Sequence, residues 1–412
     1  MTGIQSLPLE IIDDIIENSA LTDDKKLSNV KACALTCRIF HFCSRKQIFA
    51  NVTLNSRKGP PRLLQELLTT TPAIGECVRK LKFSLFVYDD KELSSPEFPE
   101  LLKKFTQVRH LVISNASTAF VVWDAIPRGI RDILHRIMHL PTFQYLQFIC
   151  VQNFPWRSLA DCATLKRLHL DSTLAGTAPI FPASATTPSL PLINLREYNM
   201  DFQTVQITRK IFGFDGPPVF DIRHLKRMFA FCHDSPSVVL TREMLKKTSQ
   251  LTFLHLRTFE GCCPGLSLML SPVLLSLKKF DFLDPTANKT PDYIDVFIDE
   301  FESIRGQHNV LEELDISIYL DIPRDSASAL IVKEKLGALD KTLDTSGWMS
   351  LKTVSIDIVE LPNHSLKSDD FIPSQPREFF PVLSSDKRCR VQFLPHKPGR
   401  MEKLMDIQNL RI

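Results

Sequence analysis

A short alternating pattern of apolar and polar residues recurs along most of the chain. Each copy has an apolar residue, two mostly polar residues, a second apolar residue, one usually polar residue and a third apolar residue. We number these positions one to six and call the pattern the strand phrase. Its copies are Val78–Phe83, Val108–Ile113, Phe143–Phe148, Leu165–Leu170, Leu195–Met200, Leu225–Ala230 (a weak match), Leu251–Leu256, Leu277–Phe282, Leu311–Ile316 and Leu351–Ile356.

The second half of the strand phrase has the period of a β-strand, because positions four and six lie on one face. Successive first positions are 22 to 40 residues apart, which leaves room for a helix between copies. Apolar residues at helical spacing indicate such helices around Leu101–Phe105, Ile130–Met138, Tyr293–Ile304 and Leu330–Leu343. Repetition of strand, loop and helix predicts an α/β fold with parallel strands on one side and helices on the other.

The strand phrase resembles the L-x-x-L-x-L core of leucine-rich repeats. The resemblance implies an irregular leucine-rich-repeat solenoid over residues 76–395. Three residues after the last Leu, the family carries Asn or Cys; here those places hold Ala116, Thr173 and Gln203. The resemblance is therefore to a degenerate form with units of variable length. An ordinary α/β domain is the alternative.

The first fifty residues follow a helical pattern instead. Pro8 suits the first turn of a helix, where a missing N–H costs nothing, and the apolar stripe Ile11, Ile12, Ile15 and Ile16 follows. After a polar run at 22–26, a second helical region has its apolar side at Leu27, Val30, Cys33, Ala34, Cys37 and Phe40. Short helices of this size bury little apolar surface by themselves, so we expect them to pack on the rest of the chain or on another protein.

This stretch resembles an F-box, in the F-box-like form common in fungal proteins. The opening Leu7-Pro8-x-Glu10 and the later run Thr36-Cys37-Arg38-Ile39-Phe40 match in order, with Thr36 and Phe40 where the family has Val and Trp. The resemblance implies a three-helix domain at 1–50 that binds a Skp-family adaptor and, through it, the cullin of a ubiquitin ligase. The implied adaptor-binding residues are Leu7, Pro8, Ile11, Ile12, Ile15, Ile16, Leu27, Leu35, Cys37 and Phe40. The alternative is that these helices only cap the repeats.

These patterns predict four segments. Residues 1–50 form the F-box-like domain, 51–75 a linker and first cap, 76–395 the solenoid and 396–412 a polar tail. Within the linker, Ala50–Leu54 is expected to form a short strand. A last strand is expected near Cys389–Phe393.

Charge and cysteine usage narrow the partners and the compartment. The 412 residues carry a net charge of only +3, so we expect neither nucleic acid nor a membrane as a partner. No secretory signal is visible and no apolar run approaches the ~18 residues of a spanning helix. The ten cysteines include no CxxC pair, so we expect reduced thiols and a cytoplasmic or nuclear protein.

Signatures of catalysis and of cofactor binding are missing from the sequence. It contains no P-loop, no G-x-S-x-G and no G-x-G-x-x-G. Cys33, Cys37 and His41 would lie along one helix face, which does not close a tetrahedral metal site, and we expect core packing there. His135 and His139 flank Arg136 where a zinc protease needs Glu. We therefore expect a binding protein without a cofactor, not an enzyme.

If the strand phrases are strands, their third, fifth and seventh positions lie on the face opposite the core. The candidates for substrate contact on that face are His110, Arg167, His169, Asp171, Asn199, Asp201, Phe253, His255, Arg257, Asp281, Asp315 and Asp357. Mixed charges with a few aromatic residues favour a protein partner. The expected function is the substrate-recognition subunit of a Skp–cullin–F-box ligase. The alternative is a leucine-rich-repeat scaffold without a role in ubiquitin transfer.

Overall fold

The structure is a computed structural model of the whole chain. It describes residues 8, 10–12, 15–16, 26–58, 61–86, 96–115, 120–174, 192–258, 265–284, 292–320, 326–344, 348–360 and 380–395. Leu7 and the tail at 396–412 lie outside the described residues, as do most of the expected loops at 171–192 and 361–376. The fold is α/β, as predicted, and all paired strands among the described residues run parallel.

Sixteen strands are described. They are β1 Asn51–Asn55, β2 Lys80–Leu85, β3 His110–Asn115, β4 Val121–Val122, β5 Tyr145–Ile149, β6 Val151–Gln152, β7 Arg167–Asp171, β8 Ile193–Asn194, β9 Glu197–Met200, β10 Phe220–Asp221, β11 Arg227–Cys232, β12 Phe253–Thr258, β13 Lys279–Asp284, β14 Glu313–Leu320, β15 Thr353–Glu360 and β16 Cys389–Pro395.

Ten α-helices are described. They are α1 Lys26–Ala34, α2 Arg38–Ile48, α3 Arg62–Thr70, α4 Glu97–Lys103, α5 Arg128–Met138, α6 Val205–Ile211, α7 Ser235–Lys247, α8 Leu266–Leu270, α9 Asp292–Arg305 and α10 Ser326–Thr342. Among the described residues, no helix has the length and apolar character required to cross a membrane.

Contacts divide the chain into two compact units. The first unit comprises Met1–Leu195 and Gln206–Asp221, and the second comprises Arg196–Val205 and Ile222–Ile412. In the first unit, neighbouring strands follow the order β1-β2-β3-β5-β7; in the second, the order is β9-β11-β12-β13-β14-β15-β16. This division does not follow the boundaries predicted at 50, 75 and 395, which stay predictions.

Each of the ten strand phrases forms a strand, and each strand begins at the third position. Within each unit, position four pairs with position four of the next copy, as Leu81 does with Leu111 and Phe280 with Leu314. The first, fourth and sixth positions are buried throughout. The apolar periodicity therefore fixes the register as well as the strands, because a slip of one residue would expose every core side chain.

A recurring backbone contact aligns neighbouring copies. The carbonyl at position two accepts hydrogen bonds from the N–H groups at positions two and three of the next copy, as Arg79 does from Arg109 (2.8 Å) and His110 (2.9 Å). The carbonyl of Ala50 accepts in the same way from Arg79 and Lys80. Phe49–Leu54 is therefore a further copy of the strand phrase, and it crosses the predicted boundary between the F-box-like segment and the linker.

The helices between strands bury the predicted apolar faces. In α5, Ile130, Ile133, Leu134, Ile137 and Met138 are all buried, as expected. In α10, Leu336 and Leu339 are buried, as is Leu343 directly after the helix, whereas Leu330 is 57% exposed. Consecutive helices contact each other: α4 with α5 in the first unit, and α7, α8, α9 and α10 in turn in the second.

Helix α7 had no counterpart among the predicted helices. The carboxylate of Asp234 accepts from the N–H of Ser237 at 2.9 Å, and the hydroxyl of Ser237 accepts from the N–H of Asp234 at 3.1 Å. This is a capping box with Pro236 in the first turn. The run Asp234-Ser-Pro-Ser237 was therefore a usable start signal.

Candidate functional site

The N-terminal helical residues share a small core of their own. The N–H groups of Ile11 and Ile12 donate to the carbonyl of Pro8 at 3.1 and 3.3 Å, so a helical turn begins at Pro8, as predicted. The buried cluster consists of Ile12, Ile16, Val30, Phe40 and Cys43, with Cys33, Cys37, Ile39 and Ile48 packed against it. All of these residues lie before β1. The cluster thus fills a core between the helical segments themselves.

The predicted adaptor-binding residues divide into covered and open positions. Ile12, Ile16 and Phe40 are buried in this cluster and Cys37 is half-buried, so the helices' own core covers these side chains. Ile11 is 45% exposed, Ile15 is 42% exposed and Leu35 is 88% exposed. Pro8 is also exposed, and the side chain of Leu27 lies outside the described residues.

The turn between α1 and α2 presents the most exposed of these apolar side chains. Leu35 lies in this turn, where the hydroxyl of Thr36 donates to the carbonyl of Cys33 at 2.8 Å. Phe42, on α2, is 55% exposed, with the Lys46 ammonium 5.4 Å from its ring centroid. Phe42 was not among the predicted contact residues, because it lies outside the apolar side of the predicted helix. Exposed large apolar side chains on a segment that already has a core favour a contact with a partner.

Several side chains on the outer strand face of the first unit are buried, although Lys82 on β2 is exposed. Here the outer strand face means the side chains at positions three, five and seven of the strand phrases. Val112 is 4% exposed, Tyr145 is 0%, Gln147 is 6% and His169 is 3%. His169 was predicted to contact substrate, but only 3% of its surface is exposed, so it is not accessible to a partner in this structure.

A polar network occupies this buried face. The hydroxyl of Tyr145 lies 3.0 Å from Gln147 Oε1 and 3.0 Å from His169 Nδ1. The guanidinium of Arg167 stacks on the Tyr145 ring at 5.1 Å and donates to His110 Nε2 at 3.0 Å. Burial, together with the charge of Arg167, lowers the pKa of His110 to about 4. His110 is therefore neutral at physiological pH and accepts the bond from Arg167.

The outer strand face of the second unit is more open. In β11, Met228, Ala230 and Cys232 are buried, and the alternate residues Arg227, Phe229 and Phe231 are partly or fully exposed. Phe253, Asn199, Asp281, Asp315 and Asp357, all predicted contact residues, are half-buried. The period-two pattern places them on the outer strand face as expected.

Aromatic rings and guanidinium groups alternate across β11 and β12. The guanidinium of Arg227 lies 4.9 Å from the ring centroid of Phe253 and 5.6 Å from that of Phe229. The guanidinium of Arg257 lies 4.6 Å from the Phe231 ring, and the Phe229 and Phe253 centroids are 5.3 Å apart. Contacts of this kind hold the cations over aromatic faces without neutralising them.

Carboxylates follow on β13 to β15. His255 Nδ1 lies 2.7 Å from Asp281, and the ammonium of Lys279 lies 2.7 Å from Asp315 and 3.0 Å from Glu313. Burial by itself lowers the pKa of Lys279, but hydrogen bonds to Asp315 and Glu313 outweigh it, so the pKa lies above its ordinary value. On β15, Asp357 accepts from the Gln392 amide at 2.6 Å.

Two predicted contact residues have local structural roles. The carboxylate of Asp201 accepts from the N–H groups of Gln203 and Thr204 at 3.0 and 3.1 Å, which caps the short helix at Phe202–Thr204. Asp171 ends β7 and is half-buried. Arg257 and His255 are each 9% exposed, so they contribute only the edges of their side chains to the surface.

Comparison with known proteins adds no family assignment. No protein-family model matches the chain, and no curated protein is significantly similar to it.

Proposed function

We propose that the chain is a substrate-recognition subunit of a Skp–cullin–F-box ubiquitin ligase. In this function, the N-terminal helices bind the Skp-family adaptor, and the strand-and-helix repeats form a leucine-rich-repeat solenoid that holds a protein substrate. The chain itself performs no chemistry and acts by proximity, since holding two reactants together supplies much of a rate enhancement.

The exposure of Leu35, Ile11 and Ile15 carries the proposal. These side chains remain open although the helices that bear them have a buried cluster. Complete burial of each in an interface would contribute about 1.5–3 kcal/mol. The resemblance to an F-box places Leu35 directly before Thr36-Cys37-Arg38, the run that matches the family best.

The repeat pattern supports the receptor half of the proposal. Parallel strands in register, each followed by a segment that packs a helix or a turn against its neighbour, are typical of a solenoid. Thr173 stands where leucine-rich repeats carry Asn or Cys, and its hydroxyl lies within hydrogen-bond distance of two carbonyls, that of Asp171 at 3.1 Å and that of Phe148 on the preceding copy at 3.4 Å. A buried hydroxyl can therefore take the place of the family's Asn at this position.

A repeat scaffold without a ligase role is the alternative, and one contact favours it. Helix α2 packs against the turn at Pro72–Cys77 in the first unit. The N-terminal helices therefore also act as a cap, and deletion of residues 1–50 would expose that turn. Because a deletion would confuse the two functions, point variants are the better test.

The test is co-purification of a Skp-family adaptor with the full chain. We expect Ile15→Asp combined with Leu35→Asp to abolish adaptor binding, with an unchanged thermal transition, because both positions are exposed. Leu63→Asp is the matched control, since Leu63 is 81% exposed on α3, outside the F-box-like segment. Normal adaptor binding by the double variant, or no binding by the wild-type chain, would contradict the proposal.

A further inference from the structure

The side chain of Arg227 is restrained by its neighbours. Its guanidinium stacks on two rings, Phe253 and Phe229, at 4.9 and 5.6 Å. Stacking restricts the side chain, so less entropy is lost when the guanidinium binds. The side chain nonetheless remains 50% exposed.

The guanidinium of Arg227 has few polar contacts among the described residues. Within the part of the chain that the structure describes, it donates no hydrogen bond, and its ion-pair partner Glu197 is 3.6 Å away. The Glu197 side chain is only 7% exposed, so it does not occupy the open side of the site. A planar guanidinium with free donors matches the geometry of a carboxylate.

The rings beside Arg227 set a second requirement. Phe229, Phe231 and Phe253 are half-buried on adjoining strands, so part of each ring meets solvent. An apolar side chain next to the carboxylate would cover them. Aromatic residues with arginine are the combination enriched in binding hot spots.

The carboxylates on β13 and β14 make that side of the outer strand face acidic. The side chains of Asp281, Glu313 and Asp315 are 30%, 50% and 38% exposed, and Lys279 is paired with both Glu313 and Asp315. Acidic groups thus outnumber basic ones on that side. Three strand spacings of ~4.8 Å separate β11 from β14, a distance that about four residues of extended chain cover.

We propose that the outer strand face of the second unit binds an extended protein segment with an acidic residue beside an apolar one, followed about four residues later by Lys or Arg. The carboxylate binds Arg227, the apolar side chain covers the phenylalanine rings, and the basic residue meets Asp315 and Glu313. This inference rests on the proposed receptor function only in taking the face to be a binding surface. It requires no adaptor.

The test is selection of a random nine-residue peptide library on the immobilised full chain. We expect enriched peptides to carry Asp or Glu beside Phe, Leu, Tyr or Met, with a basic residue about four positions away. In a direct titration of such a peptide, Arg227→Gln should weaken binding about tenfold or more, the effect of one lost charge-assisted contact. Asp315→Asn should weaken it less.

Arg196→Gln is the matched control, because Arg196 is exposed but lies at position two, outside the outer strand face. Affinity should be unchanged in this variant. No enrichment, enrichment without acidic residues, or equal affinity for Arg227→Gln and wild type would overturn the inference. Replacement of the peptide's Glu by phosphoserine with a large gain in affinity would assign the site to phosphate and overturn it too. Adaptor binding is a separate measurement, so either proposal can fail alone.

Discussion

The two units use the same strand phrase but expose its outer face differently. Tyr145 on β5 and Phe253 on β12 both stand at position three of the strand phrase. Tyr145 is 0% exposed, whereas Phe253 is half-buried and its ring stacks with Arg227. In the first unit the face holds a polar network that helps to fix the fold. In the second it holds rings and charges that remain partly accessible. Identical backbone register therefore does not imply identical function.

The largest expected effect separates these two aromatic residues. Tyr145→Ala removes a fully buried ring and leaves Gln147 and His169 without the hydroxyl, so we expect a loss of about 3–5 kcal/mol in the free energy of unfolding. Phe253→Ala removes a half-exposed ring, and we expect about 1 kcal/mol. Urea denaturation of the two variants measures both, and equal losses would contradict the distinction between the faces.

A pH effect of intermediate size is expected from His110. Its pKa is lowered from 6.5 to about 4 in the folded chain, so below pH 6.5 the unfolded chain binds more protons. The contribution of His110 to the free energy of unfolding is fully present above pH 6.5. It is lost as the pH falls towards 4, by about 1–3 kcal/mol because the group is only partly buried. Denaturation at a series of pH values measures the slope.

His110→Gln is the matched variant for this effect, because Gln does not titrate in this range but still offers an acceptor to Arg167. In this variant, the fall in the free energy of unfolding between pH 6.5 and 4 should be smaller by the contribution of His110. An unchanged slope would show that the buried network of the first unit does not control the response.

The smallest expected effect compares two arginines at position three. Arg167 donates to buried-face His110 and stacks on Tyr145, so Arg167→Gln should cost about 1–2 kcal/mol. Arg227→Gln removes a half-exposed cation whose contacts are two ring faces and the Glu197 carboxylate at 3.6 Å; because Glu197 has further partners, the loss should be smaller, about 0.5 kcal/mol. Thermal unfolding resolves the difference. A larger loss for Arg227→Gln would make it a structural residue.

The strands were predictable because the apolar period that forms them also buries them. Positions one, four and six of the ten copies found in the sequence are apolar and lie in the core, so pattern and packing agree. The copy at Phe49–Leu54 was missed because its first two positions were assigned to the F-box-like segment at 1–50, although a strand was expected at Ala50–Leu54. Helix α7 was missed because its start signal is a capping box and not an apolar stripe.

Exposure of the candidate site was harder to predict, because a period of two assigns a face but not what covers it. His169 stands at position five of its copy, as Asp281 and Asp315 do in theirs, yet Asp281 and Asp315 remain half-buried. The structure buries His169 at 3% exposure and joins it to Tyr145. Likewise, the N-terminal isoleucines share one stripe in sequence, but Ile12 and Ile16 turn into the cluster while Ile11 and Ile15 stay exposed.

Amide hydrogen exchange of the full chain, with and without a purified Skp-family adaptor, tests the receptor function most directly. The account predicts that the adaptor slows exchange in peptides containing Ile15, Leu35 and Phe42 and leaves β11 to β15 unchanged. Absence of slowing in the N-terminal peptides, or slowing confined to the strands of the second unit, would contradict it.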